Sequence, residues 1–121
     1  MRCTCSMLFV EDNWLIAQSA VEALGAAGLH VRPVPDARSA LELFHAVRFD
    51  CAVIDVELPG GMDGVELAHR LLQLQPDFPI ALATGYDATM CGAPPNIPVF
   101  QKPYRFEDIR ASLCARVLAR G

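Results

Sequence analysis

Glu11, Asp12, Asp55, Thr84 and Lys102 are the residues of this chain whose types, taken together, can do chemistry. Carboxylates hold hard cations or act as nucleophiles, a hydroxyl donates to a developing anion, and an ammonium meets a phosphoryl oxygen. Lys102 also stands out by composition: of 10 basic residues it is the single lysine. Arginine, with its wide guanidinium, does not replace a compact ammonium in a crowded phosphate pocket. Three carboxylates drawn within a few ångströms repel one another and call for a cation. Mg²⁺, hard, oxygen-liganded and retaining waters, fits best. With the charge partly neutralised, Asp55 can attack a phosphoryl group whose equatorial oxygens are held by the metal, Lys102 and Thr84. Each residue also has a plain alternative. Glu11-Asp12 can cap a helix, Asp55 can be a turn residue, Thr84 can fill a strand end, and Lys102 can be a solvated charge.

The elements between these residues must bring them together. Met7-Leu8-Phe9-Val10 is a buried-strand run, and Trp14, Ala17, Val21, Leu24 and Gly28 follow at helical spacing, an amphipathic helix closed near Gly28. Residues 29–34 alternate as a strand, which Pro33 confines to an edge. Asp36 can cap a second helix through Ala40, Leu43, Phe44 and Val47. Cys51-Ala52-Val53-Ile54 is a buried strand ending at Asp55. After the turn Pro59-Gly60-Gly61-Met62, Asp63 can cap a third helix through Val65, Ala68, Leu71 and Leu72. Ile80-Ala81-Leu82-Ala83 is a strand ending at Thr84, and residues 97–101 form a fifth strand, again an edge because of Pro98. Phe106, Ile109, Leu113 and Val117 stripe a last helix, with Glu107 and Asp108 in its first turn and Arg110, Arg116 and Arg120 later.

Strands alternating with helices predict an α/β fold: a doubly wound, five-stranded parallel sheet of flavodoxin-like order 2-1-3-4-5. One domain over residues 1–121 accounts for the whole chain. In such sheets function gathers at the carboxyl ends of the strands. Glu11-Asp12 follow the first strand, Asp55 ends the third, Thr84 ends the fourth and Lys102-Pro103 follow the fifth. The convergence is the signal.

Composition narrows the classes further. At 121 residues, 53% hydrophobic and 20% charged, the chain can bury a core and is not a disordered segment. A net charge of −4 argues against a protein that mainly grips nucleic acid. No apolar run approaches the roughly 18–20 residues that cross a bilayer. Met1-Arg2-Cys3-Thr4-Cys5 lacks the features of a signal peptide, so a cytoplasmic location is expected. Five cysteines without a CxxC pair read as reduced, non-ligand thiols. Cys51 and Cys114 look like small buried hydrophobes, and Cys3-x-Cys5 lacks the second ligand cluster of a zinc site. His30, His45 and His69 are isolated and read as structural or surface residues, and Trp14 as packing at the start of the first helix.

In this order and spacing, Glu11-Asp12, Val53-Ile54-Asp55-Val56-Glu57-Leu58-Pro59-Gly60, Thr84 and Lys102-Pro103 resemble the response-regulator receiver domain, the phosphoacceptor of bacterial two-component signalling. The resemblance covers essentially the whole chain. It implies that Asp55 takes a phosphoryl group from a sensor histidine kinase or phosphotransfer protein and thereby switches binding to a downstream protein partner. It implies Mg²⁺ held by Asp12, Asp55 and the backbone carbonyl of Glu57, with Glu11 acting through water. Thr84 would swing toward the phosphate and Lys102 would pair with it, beside a cis bond to Pro103. Neither nucleic acid nor membrane is an expected partner, and turnover of a separate substrate is not expected. Pro79-Ile80-Ala81-Leu82-Ala83-Thr84-Gly85-Tyr86 is similar to the Pro-Phe-x-Phe-Ala-Thr-Gly-Tyr signature of a subgroup that includes many single-domain receivers.

The sequence departs from the family in two places. Val99 stands where an aromatic switch residue is common, and strand alternation turns the neighbouring Phe100 to the other face. Tyr86 is then expected to share the switching role with Thr84, Phe100 and Pro103. Residues 85–101 carry Gly85, Gly92, Pro94, Pro95 and Pro98, which leaves room for about one turn where receivers usually place a full helix. Glu57 is expected either to reach Lys102 in the absence of phosphate or to influence the hydrolytic water. Two other functions fit parts of the pattern. A haloacid-dehalogenase-type phosphatase also uses Asp, Thr, Lys and Mg²⁺, but it begins with Asp-x-Asp and places its acidic pair last. A pseudo-receiver would be a phosphorylation-independent interaction module.

Overall fold

A computed structural model describes residues 5–120. The elements, in chain order, are β1 (Ser6–Val10), α1 (Trp14–Ala26), β2 (His30–Val34), α2 (Ala37–Ala46), β3 (Cys51–Asp55), α3 (Gly64–Leu74), β4 (Ile80–Thr84), β5 (Val99–Gln101) and α4 (Phe106–Arg120). A single 3-10 turn, Ala88–Met90, lies between β4 and β5. The strands form one parallel sheet in the order β2-β1-β3-β4-β5. Both proline-bearing segments sit at its edges. Pro33 lies opposite Phe9 in β2, and Pro98 precedes β5 while its carbonyl accepts from Leu82 N–H at 3.0 Å. β5 is shorter than the apolar run 97–101 suggests, because Pro98 has no N–H to extend the ladder.

Helices cover both faces of the sheet and bury the inner strands β1, β3 and β4 on both sides. One cluster joins Leu8, Val10, Ile54 and Leu82 to Ala40 and Phe44 of α2 and Leu67 and Leu71 of α3. The other joins Met7, Phe9 and Val53 to Ala20 and Leu24 of α1 and Ile109 and Leu113 of α4. Alternation along each strand therefore assigns odd and even residues to opposite cores. Every residue of β3 and β4 is buried, as inner strands require.

The local signals act largely where they were expected. Asp36 and Asp63 cap α2 and α3, accepting from Ser39 N–H at 2.8 Å and Glu66 N–H at 2.9 Å. The cap of α1 is different: Asn13, not Glu11 or Asp12, accepts from Leu15 and Ile16 N–H. Gly28, at φ +101°, follows α1 in a conformation that favours glycine. Arg116 of α4 donates to the Ile80 carbonyl at 2.5 Å, tying the last helix to the start of β4.

Some expectations need correction or fall outside the described residues. Trp14 does not pack; it is 68% exposed, because the helix turns that position outward. His30, His45 and His69 are exposed. Cys51 and Cys114 are buried as expected, and Cys5 lies with its sulfur 4.0 Å from that of Cys51. Cys3, and with it the reading of Cys3-x-Cys5, lies outside the described residues. Among the described residues no helix is long and apolar enough to cross a membrane.

Candidate functional site at the carboxyl end of the sheet

The parallel register delivers the site. Glu11 N–H donates to Val34 O at 3.0 Å, Val56 N–H to Ala83 O at 2.8 Å and Lys102 N–H to Thr84 O at 2.7 Å. These bonds continue the ladders just past the strand ends and align Glu11, Asp55, Thr84 and Lys102 along one rim. A second constraint comes from α3. A Cβ on Gly64 would stand 2.0 Å from the backbone oxygen of Asp55, so only glycine lets the helix start this close to the strand end.

The three carboxylates do converge. Oxygens of Glu11, Asp12 and Asp55 lie within 4.8 Å of one another. Glu11 and Asp55 are each 4% exposed, while Asp12 faces solvent. Lys102 Nζ donates to Glu11 Oε1 and to Asp55 Oδ2, both at 3.0 Å. Glu11 Oε2 accepts from Asn13 N–H at 3.1 Å, and Asp55 Oδ1 accepts from Glu57 N–H at 3.1 Å. The bond between Lys102 and Pro103 is cis.

Electrostatics follow from this packing. Burial raises the Glu11 carboxyl above the usual carboxylate range, the neighbouring Asp55 adds to the rise, and the bonds from Lys102 and Asn13 only partly oppose it. Burial alone would lower the Lys102 ammonium, but its bonds to Glu11 and Asp55 prevail and the group ends raised. Tyr104, half-buried beside these residues, has its phenol pushed up to about 12 by desolvation and by the charge of Glu11. One ammonium among three carboxylates leaves the rim negative, and all the side-chain donors offered are hard oxygens. Glu11, Asp12 and Asp55 thus fit a divalent ion of the Mg²⁺ type.

Thr84 stands at the strand end as expected, and one of the two roles expected of Glu57 needs correction. Glu57 does not reach Lys102. Its Oε2 accepts from the Thr84 hydroxyl at 2.6 Å and its Oε1 from Gly85 N–H at 2.8 Å. Lys102 is already taken up by Glu11 and Asp55, whereas the start of the loop after β4 offers two donors on adjacent residues. Tyr86 is 72% exposed at the edge of the hollow that Asp55 and Lys102 line, and its backbone N–H donates to Thr84 Oγ1 at 3.1 Å. Phe100 lies opposite Ala83 and packs in the α1/α4 core, whereas Val99 packs in the other. Phe100 therefore does not share the face of Thr84, and a switching role through that contact is not supported. Pro103 lines a hollow with Leu15, Ile16 and Tyr104 beside the site.

Asn13 and Gly64 are site-shaping residues that sequence reasoning missed. Asn13 was readable as a helix cap placed after an acidic pair; the requirement for Gly64 depends on how close α3 comes to β3, which leaves no local signature.

Comparison with known proteins identifies the family and the fold. The family model described as the response regulator receiver domain matches residues 7–94. The response regulator receiver protein CpdR of Brucella abortus is 33% identical over 107 residues, covering 85% of this chain and 88% of CpdR. The chain spans about half the length of several other curated relatives that it matches. Among solved structures, a Burkholderia pseudomallei response regulator with a phosphorylated aspartic acid, calcium ion and citrate is 30% identical. Its TM-score is 0.75, with 95% of this chain and 71% of that chain covered. The Thermotoga maritima regulator TrrA, in complex with Mg²⁺-BeF, has a TM-score of 0.80 at 22% identity, covering 92% of this chain and 97% of that one, a likeness of fold.

Proposed function

Since the chain belongs to the response regulator receiver family, we propose that it is a phosphoacceptor switch whose acceptor is Asp55. One observation carries the proposal: Asp55, buried at a strand end, shares one rim with two further carboxylates within 4.8 Å and with Lys102 at 3.0 Å. A carboxylate oxygen of Asp55 attacks the phosphorus of a phosphohistidine on a kinase or phosphotransfer protein. An O–P bond forms, the N–P bond breaks, and the imidazole leaves with the bonding electron pair. Glu11, Asp12 and Asp55 would hold Mg²⁺, with the Glu57 carbonyl completing the set, and the ion supplies charge neutralisation for the incoming oxygens. Lys102 then exchanges its bond to Asp55 for one to a phosphoryl oxygen, keeping its charge beside the growing anion. Thr84 and the Gly85 N–H supply neutral donors at the same rim. The only turnover in this reading is the gain and loss of the protein's own phosphoryl group. A cytoplasmic location and a downstream protein partner belong to the same proposal.

The test is incubation with acetyl phosphate, with and without Mg²⁺, followed by intact mass measurement. A gain of one phosphoryl group that disappears in Asp55→Asn and with chelator is expected. Absence of any gain in the wild type would make the chain a phosphorylation-independent interaction module instead.

A further inference from the structure

One carboxylate at this rim takes no part in the metal cluster. Glu57 turns its side chain to the end of β4, where the Thr84 hydroxyl and the Gly85 N–H both donate to it, at 2.6 and 2.8 Å. Two donors on consecutive residues, aimed at one carboxylate, make a cradle for an anion. Thr84 is 1% exposed, so its hydroxyl has little access to water as an alternative acceptor. Tyr86 N–H donates to Thr84 Oγ1 at 3.1 Å, which extends the hold to the first residues of the loop. Lys102 is engaged with Glu11 and Asp55. The loop end is thus tethered by Glu57.

We propose that Glu57 is a displaceable internal anion: it fills the Thr84–Gly85 cradle in the resting protein, and a phosphoryl group on Asp55 takes the cradle over and expels it. This rests on the phosphoacceptor reading above. Glu57 N–H donates to Asp55 Oδ1 at 3.1 Å, so whatever Asp55 carries arrives beside the Glu57 backbone. Glu57, Gly85, Asp55 and Lys102 line one hollow. A phosphoryl group brings further negative charge into a space where a carboxylate already stands, and like charges there disfavour each other. The Gly85 amide has one hydrogen to give, so phosphoryl oxygen and carboxylate compete for it. Phosphorylation therefore breaks two charge-assisted bonds of Glu57 and passes the donors of Thr84 and Gly85 to the phosphoryl group. The Glu57 side chain is a positioning group for that loop and a brake on acquisition of the phosphoryl group, a role separate from that of its backbone carbonyl.

The whole chain is the test material, as wild type, Glu57→Ala, Glu57→Gln and Asp55→Asn. Phosphoramidate with Mg²⁺ is the donor, intact mass gives the rate of phosphoryl gain, and the Gly85 amide is followed by NMR. Without donor, the Gly85 amide proton of wild type should resonate downfield, as expected of a bond to carboxylate, and move upfield in Glu57→Ala. In the wild type the same amide should leave its carboxylate-bound position on addition of Mg²⁺-beryllofluoride, as its hydrogen passes to the new anion. Glu57→Ala should gain its phosphoryl group about tenfold faster than wild type, the effect of losing roughly one charge-assisted bond. Glu57→Gln keeps the shape but only one acceptor atom, and should fall between them. If Glu57→Ala folds, as its thermal melt reports, yet reacts no faster and leaves the Gly85 amide in place, the proposal fails while the phosphoacceptor reading stands. If wild type gains no mass, the phosphoacceptor reading fails and takes this proposal with it.

Discussion

At the scale of single residues, the site is a set of exchanges between charges. Lys102 bridges Glu11 and Asp55 at 3.0 Å each, so the resting rim is held by the same ammonium that the proposed phosphoryl group would recruit. Substitution by arginine keeps the net charge at −4 but replaces a point donor with a planar fork. We expect Lys102→Arg to accept a phosphoryl group on Asp55 yet to show a much smaller set of amide shifts in the β4–β5 loop on phosphorylation. An NMR spectrum of Lys102→Arg that changes as the wild type does would show that the lone lysine has no special role. The lysine was conspicuous from composition, and its strand-end position was readable from the pattern of apolar runs. The partner of Glu57 was not. A carboxylate two residues beyond Asp55 could turn to either side, and the choice of Thr84 and Gly85 over Lys102 depends on donors that only the folded loop brings near.

At the scale of elements, caps and breakers explain both the order and its interruption. Asp36 accepts from Ser39 N–H at the start of α2. That bond, with help from the Ser39 side chain, lowers its carboxyl below the ordinary carboxylate value. The folded form of Asp36 therefore binds its proton less readily than the unfolded one. Its contribution is fully present above the unfolded value and fades as pH falls through the lowered folded value. Asp36→Ala should cost about 1 kcal/mol near neutral pH, as lost caps do, and progressively less in acid. Urea unfolding of both proteins at neutral pH and near pH 2 checks the sign. Between β4 and β5 the helix usual in receivers is reduced to the turn Ala88–Met90, in a segment holding Gly92 at φ +73° and Asn96 at φ +68°. Hydrogen exchange over residues 88–96 should therefore be faster than in β4 by orders of magnitude, since there are few repeating backbone bonds to open. Protection equal to that of β4 would contradict it. The prolines and glycines made this interruption legible in the sequence because they act on the backbone locally. The exposure of Trp14 was not legible, since it depends on where α1 lies against the sheet.

At the scale of the whole molecule, two cores on opposite faces of one sheet clamp the strand ends that carry the site. The tightest coupling between core and site is at Gly64, where any Cβ would meet the Asp55 carbonyl at 2.0 Å. Gly64→Ala must push α3 away from β3 and should lower stability by about 1–3 kcal/mol, as overpacking does. It should also slow phosphoryl gain at Asp55, because the displaced backbone is that of the acceptor itself. Thermal unfolding and intact mass read the two effects on one sample. By itself the sequence determined the alternation of strands and helices, the edge positions of the proline-bearing strands, and the set Glu11, Asp12, Asp55, Thr84 and Lys102. These follow from periodicity, backbone chemistry and topology, which are written locally. Only the tertiary structure decided which charge pairs with which: Lys102 with Glu11 and Asp55, and Glu57 with Thr84 and Gly85. Hydrogen bonds reach about 3 Å, so their partners are settled by placements finer than any spacing along the chain can express.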